Sequence, residues 1–284
     1  MNGFVATIGM FDGVHLGHQF VLRKVAEEAH RQNLCSMCIT FNDSPKHEQI
    51  LTPLNRKVEL IQALGIERVM VLPFTEDLKR LTAREFMRQW LCEERVNVLL
   101  TGYDNRFGHN RAEGFEDYVR YGHELGISVK ALPPLPSSHG VDVVSSSLIR
   151  QLISSGQVDQ AARCLGYRYT LTGHVTHGEH VGTALGFPTA NIVPDEPRQL
   201  IPAAGVYAVT SGELKGIMNI GTRPTFGIHQ QTLEVHFLDY SEDLYDRQVS
   251  VDFVCRLREE RHFDSPEALI EQLKTDAKQT EALL

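Results

Sequence analysis

The chain has 284 residues, of which 42% are hydrophobic and 23% charged, with 12 prolines; that balance excludes a disordered or fibrous protein. Against roughly 100–200 residues per domain, the length predicts two domains with separate cores. A net charge of −8 disfavours a protein that grips nucleic acid by its phosphates, which needs clustered Lys and Arg, but leaves small anionic substrates open.

From Phe4 to about Leu132, short apolar runs alternate with segments of helical period, the pattern of a parallel sheet with crossover helices. Strands are predicted at Val5–Gly9, Leu34–Phe41, Arg68–Leu72, Val96–Thr101 and Ser128–Leu132. Leu22, Val25, Ala26 and Ala29 mark one helix face, and Leu60, Ile61 and Leu64 another. Met1 leads straight into a strand-like segment rather than a signal peptide, and no apolar run approaches the roughly 20 residues of a membrane helix; the expected location is the cytoplasm, without membrane attachment. The cysteines (35, 38, 92, 164, 255) are odd in number and scattered, which gives no disulfide framework. Cys35 and Cys38 have redox or zinc spacing, but strand geometry sends residues three apart to opposite faces, so they read as core thiols.

Leu132 to Gly140 is turn-forming, and Ser145-Ser-Ser147 supplies an N-cap for a helix over Leu148–Ser154, followed by another from about Val158 to Leu165. From Tyr167 the pattern changes to short strands separated by Gly and Pro, alternating cleanly in Val249, Val251, Phe253, Cys255 and Leu257, as in a small closed antiparallel barrel. Ser265-Pro266-Glu267 then opens a helix expected to run to about Lys278. The predicted domains are therefore 1–166 and 167–284.

The first predicted strand runs into Met10-Phe-Asp12-Gly13-Val-His15-Leu-Gly17-His18, where a helix opens. A strand-to-helix junction presents unpaired N–H groups and the positive end of the helix dipole, which suits a phosphate. Gly13 and Gly17 allow close approach of a ligand, and His15 and His18, three apart, share a face and can donate hydrogen bonds to phosphate oxygens. Paired imidazoles there provide the positioning and charge stabilisation that nucleotidyl transfer needs. Two incidental histidines, or a zinc site lacking an evident third ligand, are the competing readings.

Thr7-Ile-Gly-Met-Phe-Asp-Gly-Val-His-Leu-Gly-His18 resembles the opening motif of the bacterial bifunctional riboflavin kinase/FAD synthetases. Gly102-Tyr-Asp104-Asn-Arg-Phe-Gly108 and Val144-Ser-Ser-Ser-Leu-Ile-Arg150 continue the likeness in order. The resemblance implies an α/β nucleotidyltransferase domain, a Rossmann-like parallel sheet, followed by the small antiparallel β-barrel with its C-terminal helix. It also implies that His15 and His18 meet ATP phosphates, that Gly9, Phe11, Asp12, Gly13, Gly17 and Asp104 belong to the nucleotide site, and that Ser146, Ser147 and Arg150 close over the phosphates. Two departures stand out: Phe41-Asn-Asp-Ser-Pro-Lys-His47 replaces the family's Phe-Asp-Pro-His-Pro, and Asn105 occupies a position where an aromatic residue is usual.

In the second half, Gly173, Gly178, Gly182 and Gly186 recur at close intervals, as in a loop that wraps phosphate at a barrel mouth. Gly186-Phe-Pro188-Thr189-Ala-Asn191 follows; Thr189 and Asn191, two apart, share a strand face and offer neutral oxygens to Mg²⁺ carried by a nucleotide. The stretch resembles the riboflavin kinase signature, and the likeness continues through Asn219-Ile-Gly-Thr-Arg-Pro-Thr-Phe226, Leu233-Glu234-Val-His-Phe-Leu-Asp239 and Asp243-Leu-Tyr245. It implies that Glu234 is the base for the riboflavin 5′-hydroxyl, that Gly173, Gly178, Gly182, Gly186 and Pro188 serve the nucleotide, and that Thr183 replaces a common Arg.

The implied activity is phosphorylation of riboflavin to FMN followed by adenylylation of FMN to FAD, with Mg-ATP as co-substrate and FMN and FAD as product or substrate rather than prosthetic groups. Two other readings stay open. One is a riboflavin kinase whose adenylyltransferase domain is weakened or inactive, motivated by the departures around Asn42–His47 and Asn105. The other is a flavin-binding carrier without turnover, against which His15, His18 and Glu234 count.

Overall fold

The computed structural model describes residues 3–43, 49–102, 105–135, 144–177, 186–225, 228–240 and 242–284. They divide into two compact units, Met1–Ser146 and Ser147–Leu284.

In the first unit, β1 (Phe4–Ile8), β2 (Cys35–Phe41), β3 (Arg68–Leu72), β4 (Val96–Gly102) and β5 (Ser128–Leu132) form a parallel sheet in the order β3-β2-β1-β4-β5. Both faces are covered, which is why the central strands are near-continuous apolar runs. One layer joins Val5, Cys38, Val98 and Leu100 to Leu22, Val25 and Ala29 of α1 (Leu16–Gln32) and Ile61 of α2 (Leu54–Gln62). The other joins Ala6, Ile8, Met37, Ile39 and Leu99 to residues beyond α3 (Glu76–Arg80): Phe86 of α4 (Ala83–Phe86), Met87 and Leu91 of the wider turn that continues it, and Tyr118 of α5 (Phe115–Leu125). Because β1 lies between β2 and β4, the chain order reverses at β1, and an open α/β sheet binds its ligands beyond the strand ends at such a switch point.

The second unit begins within α6 (Ser146–Ser154) and contains α7 (Val158–Leu165), β6 (Thr170–Thr176), β7 (Ala190–Pro194), β8 (Gly205–Ser211), β9 (Leu214–Thr225), β10 (Ile228–Phe237), β11 (Gln248–Arg258) and α8 (Pro266–Leu283). The strands close into a barrel in the order β10-β7-β6-β11-β8-β9. The alternation in β11 holds for Val249, Val251 and Phe253, which are buried, but not at Cys255. A register shift between Phe253 and Cys255 inserts a residue and turns the following side chains to the other face.

Val158, Ala161, Cys164 and Leu165 are the buried face of α7, and α7 packs on β11. The contact boundary therefore precedes Gly166, where the sequence pattern changes. Periodicity locates a helix and its apolar face, but does not say which core that face joins. Ser265 caps α8 by accepting from the Ala268 N–H at 3.2 Å, and the helix runs past Lys278 to Leu283. Arg258 fastens α8 to the barrel: its Nε and Nη2 donate to Asp276 Oδ2 at 3.0 and 2.9 Å, and Asp276 is only 1% exposed.

Candidate active sites

Beyond β1 the chain makes a strained turn. Phe11, Gly13 and Val14 have φ of +50°, +83° and +33°; glycine accepts such values, whereas a non-glycine residue there costs about 1–3 kcal/mol and needs its surroundings to hold it. Several bonds do so. The Val14 N–H donates to Phe11 O at 3.1 Å, and the Met10 carbonyl accepts from Thr40 Oγ1 at 3.1 Å and from Lys57 Nζ at 3.2 Å. The same ammonium donates to Phe41 O at 2.8 Å, tying the exits of β1 and β2 together. The Asp12 carboxylate accepts from the Leu51 and Thr52 N–H groups at 3.0 and 3.2 Å, while its carbonyl accepts from Ser146 Oγ at 2.8 Å.

The turn delivers the histidines to the start of α1. His15 is the N-cap; its Nδ1 accepts from the His18 N–H at 3.3 Å, so in the neutral ring the proton sits on Nε2 and that nitrogen is a donor. The two rings stack with centroids 3.6 Å apart, and Phe11 meets His18 edge-on at 5.1 Å. Burial lowers the His15 pKa to about 4. His18 is lowered well below the ordinary value, chiefly by burial and further by His15 and Lys57. Near neutral pH the pair is therefore uncharged and offers N–H donors rather than cations. The Nδ1 of His18 is buried without a hydrogen-bond partner among the described residues, the kind of exception that concentrates at functional sites.

Several residues expected around phosphate make structural contacts in this geometry. The Asp12 carboxylate is committed to main-chain amides and would repel an anion. Phe11 is 3% exposed and packs its ring inward. Gly9 makes room for that ring, since a Cβ there would lie 3.0 Å from it; at Gly17 a Cβ would lie 3.3 Å from the His15 ring. Asp104 and Ser44–His47 lie outside the described residues. Asn105 donates to Ile8 O at 2.5 Å, anchoring the end of β1. Ser147 and Arg150 belong to α6 in the second unit.

In that unit β10 presents Glu234 and His236 half-buried, while Leu233, Val235 and Phe237 are buried. Glu234 stands directly opposite Asn191 of β7 on one side and Asn219 of β9 on the other, close enough for side-chain contact across an antiparallel ladder. His236 Nδ1 lies 2.8 Å from Pro188 O. A cavity of about 240 Å³ reaches Pro188, Thr189, Val235, Phe237, Asp243 and Tyr245, and the Tyr245 ring stacks on His177 at 3.9 Å. Glu234 is not among the cavity's lining residues.

Gly173, expected on a phosphate loop, stands within β6, where a Cβ would meet the Val193 carbonyl at 2.3 Å; its task is close strand packing. Gly186 adopts φ +80° in a turn, and among the described residues nothing lies within 4 Å of where a Cβ would stand. Gly178, Gly182 and Thr183 lie outside the described residues. The hydroxyl of Thr189 and the amide of Asn191 are hard oxygen donors, and Asn191 stands opposite Glu234; such a set fits Mg²⁺ arriving on phosphates. Sequence reading gave no role to Lys57 or Asn219. Lys57 had a signal, a charge on the helix stripe that carries Ile61; Asn219 stood in a stretch that resembles the riboflavin kinases, but strand register is needed to place it opposite Glu234.

Residues 1–148 match the family model for FAD synthetase and residues 165–284 the one for riboflavin kinase. The bifunctional riboflavin kinase/FMN adenylyltransferase of Escherichia coli (strain K12) is 36% identical, covering 97% of this chain and 91% of its own length. That of Pseudomonas fluorescens is 36% identical, covering 99% and 93%. A crystal structure described as a macrolide-efflux protein from Streptococcus pneumoniae aligns with a TM-score of 0.90 at 30% identity, over 99% of this chain and 95% of that one. Among the described residues no helix is long and apolar enough to cross a membrane.

Proposed function

The chain belongs to the bifunctional riboflavin kinase/FMN adenylyltransferase family, and from that premise we propose how its two units divide the work and which side chains carry each step. It is an enzyme of flavin cofactor biosynthesis that phosphorylates riboflavin to FMN and adenylylates FMN to FAD. Adenylyl transfer belongs to the region 1–166 and riboflavin phosphorylation to 167–284, with α7 packed onto the barrel as a structural support.

At the first site the observation that carries the reading is the stacked, neutral histidine pair at the start of α1. His15 offers Nε2–H to the α-phosphate of ATP, and His18 lies against it in the same turn. Donors aimed where negative charge grows in the transition state lower the barrier directly. FMN phosphate attacks the α-phosphorus, the bond to the bridging oxygen breaks, and pyrophosphate leaves. Gly13 and the turn amides contribute main-chain donors; Asp12, Gly9, Phe11 and Gly17 act by shaping the turn, not by touching phosphate.

At the second site Glu234 accepts the proton of the riboflavin 5′-hydroxyl as that oxygen attacks the γ-phosphorus and ADP leaves. Asn191 and Asn219, facing it across the ladder, orient its carboxylate. Mg²⁺ enters as part of the Mg-ATP substrate and neutralises phosphate charge; Thr189 and Asn191 would hold it. ATP, riboflavin and FMN are the partners, and the cytoplasm is the expected compartment.

Incubation of the purified chain with riboflavin, ATP and Mg²⁺, followed by chromatography, tests the reading. FMN and then FAD should accumulate. FMN alone would mean that the first site does not turn over; unchanged riboflavin would sink the kinase reading, and failure to make FAD from supplied FMN as well would sink the enzymatic reading altogether.

A further inference from the structure

His236 stands two residues beyond Glu234 on the same face of β10, about 7 Å along the strand. Its Nδ1 is 2.8 Å from the carbonyl oxygen of Pro188. A carbonyl oxygen only accepts, so Nδ1 carries the proton of this bond, and the tautomer is fixed. The ring also meets Phe187 edge-on with centroids 5.2 Å apart. One side chain thus grips the two residues immediately before Thr189.

Among the described residues, the sheet ladder holds the main chain only from Ala190 onward. The β7–β10 ladder pairs Val235 with Ala190 and Glu234 with Asn191, and Phe187–Thr189 precede the start of β7. Gly186 sits in a turn at φ +80°, a conformation with no side chain to brace it, and Pro188 has no N–H to donate. The position of the Thr189 hydroxyl relative to Glu234 is therefore set from β10 through His236.

We propose that His236 is a positioning residue of the kinase site: by donating Nδ1–H to the Pro188 carbonyl it fixes the Phe187–Thr189 segment, so that Thr189 and Asn191 receive Mg-ATP at the distance from Glu234 that in-line transfer requires. The proposal rests on the kinase reading given above. His236 takes no proton from substrate; it acts through Thr189.

The bond distinguishes among substitutions by shape. The amide nitrogen of Asn can reach where Nδ1 is, whereas the amide of Gln reaches where Nε2 is. His236→Asn should retain KM for Mg-ATP within about threefold of the parent enzyme, while His236→Gln and His236→Ala should raise it by roughly tenfold to a hundredfold, the scale on which small misplacements act. Riboflavin affinity, measured by quenching of flavin fluorescence, should not change, and FAD formation from supplied FMN should be normal in all three full-length variants. Asn behaving as badly as Ala would overturn the assignment. So would a fall in kcat with an altered pH profile at constant KM, since the ring would then be acting on the hydroxyl itself. Failure of the kinase reading looks different: the parent enzyme would make no FMN, and Glu234→Gln would change nothing.

Discussion

Lys57→Met removes the buried cation that ties β1 to β2 beside the histidine pair. Lys57 is 6% exposed, and its ammonium donates to Phe41 O at 2.8 Å and Met10 O at 3.2 Å. Burial lowers its pKa while the Asp12 charge holds it up. Hydrogen bonds from a charged donor contribute about 1.5–3 kcal/mol each. Against their loss stand the released desolvation cost of a buried ammonium, the methionine that fills similar volume, and Thr40, which still donates to Met10 O. A net loss of about 1–3 kcal/mol for the first unit follows. The catalytic effect is larger. Phe11 and Val14 are held at positive φ by this bracing, and a turn freed to relax by about 1 Å misplaces the imidazoles enough to slow FAD formation about 10²-fold. Steady-state conversion of FMN to FAD, alongside riboflavin to FMN and a urea midpoint for each unit, measures all of this. FAD formation within twofold of the parent enzyme would show that Lys57 merely fills space, and equal loss of both activities would show that it supports the chain globally.

Three further outcomes are expected. Because burial depresses the His15 pKa from 6.5 to about 4, the unfolded chain binds a proton in that window that the folded one does not. The contribution is fully present above about pH 6.5 and is lost as pH falls to about 4, a difference of about 3 kcal/mol. Urea midpoints of the first unit should fall over this range, and less steeply in His15→Asn; an equal slope in the variant would refute the assignment. Asp276→Ala leaves Arg258, 17% exposed, without its carboxylate and should destabilise the second unit by about 3–5 kcal/mol, with FAD formation from FMN intact; a loss below about 1 kcal/mol would mean that α8 is not anchored there. Fragments beginning at Ser147 and at Tyr167 should both phosphorylate riboflavin, the longer melting higher because it keeps Val158, Ala161 and Leu165 buried. Equal melting would remove α7 from the barrel's core.

The inner strands of the first unit were legible because buried parallel strands are near-continuous apolar runs, as in Cys35–Phe41 and Val96–Gly102; the edge strands Arg68–Leu72 and Ser128–Leu132, though largely unburied, also coincide with the residues read from the sequence. His15 and His18 were legible as a pair because their spacing falls within one helical turn, and the structure stacks them. Their lowered pKa values were not legible, since they come chiefly from burial, with His15 and then Lys57 adding to it at His18. The placement of Gly173 was not legible for a related reason: a glycine in a Gly-rich stretch reads as a loop, yet here it stands within a strand against the Val193 carbonyl across the ladder. The bonds of Asp12 to Leu51 and Thr52 were not legible either, because those partners are found only through the fold. The Glu234 row depended on register, which places Asn191 and Asn219 on either side of it.

The claim that one chain holds two separate sites is tested most directly by His18→Ala and Glu234→Gln, assayed apart and mixed. His18→Ala should convert riboflavin to FMN at a normal rate and stop there, with FAD formation reduced about 10²–10³-fold. Glu234→Gln should make FAD only from supplied FMN, with riboflavin phosphorylation reduced roughly 10²–10⁴-fold. Mixed in one tube with riboflavin, ATP and Mg²⁺, the two variants should together restore FAD, each supplying what the other lacks. Loss of both activities in either variant, or a mixture that stays at riboflavin, would contradict the two-site account.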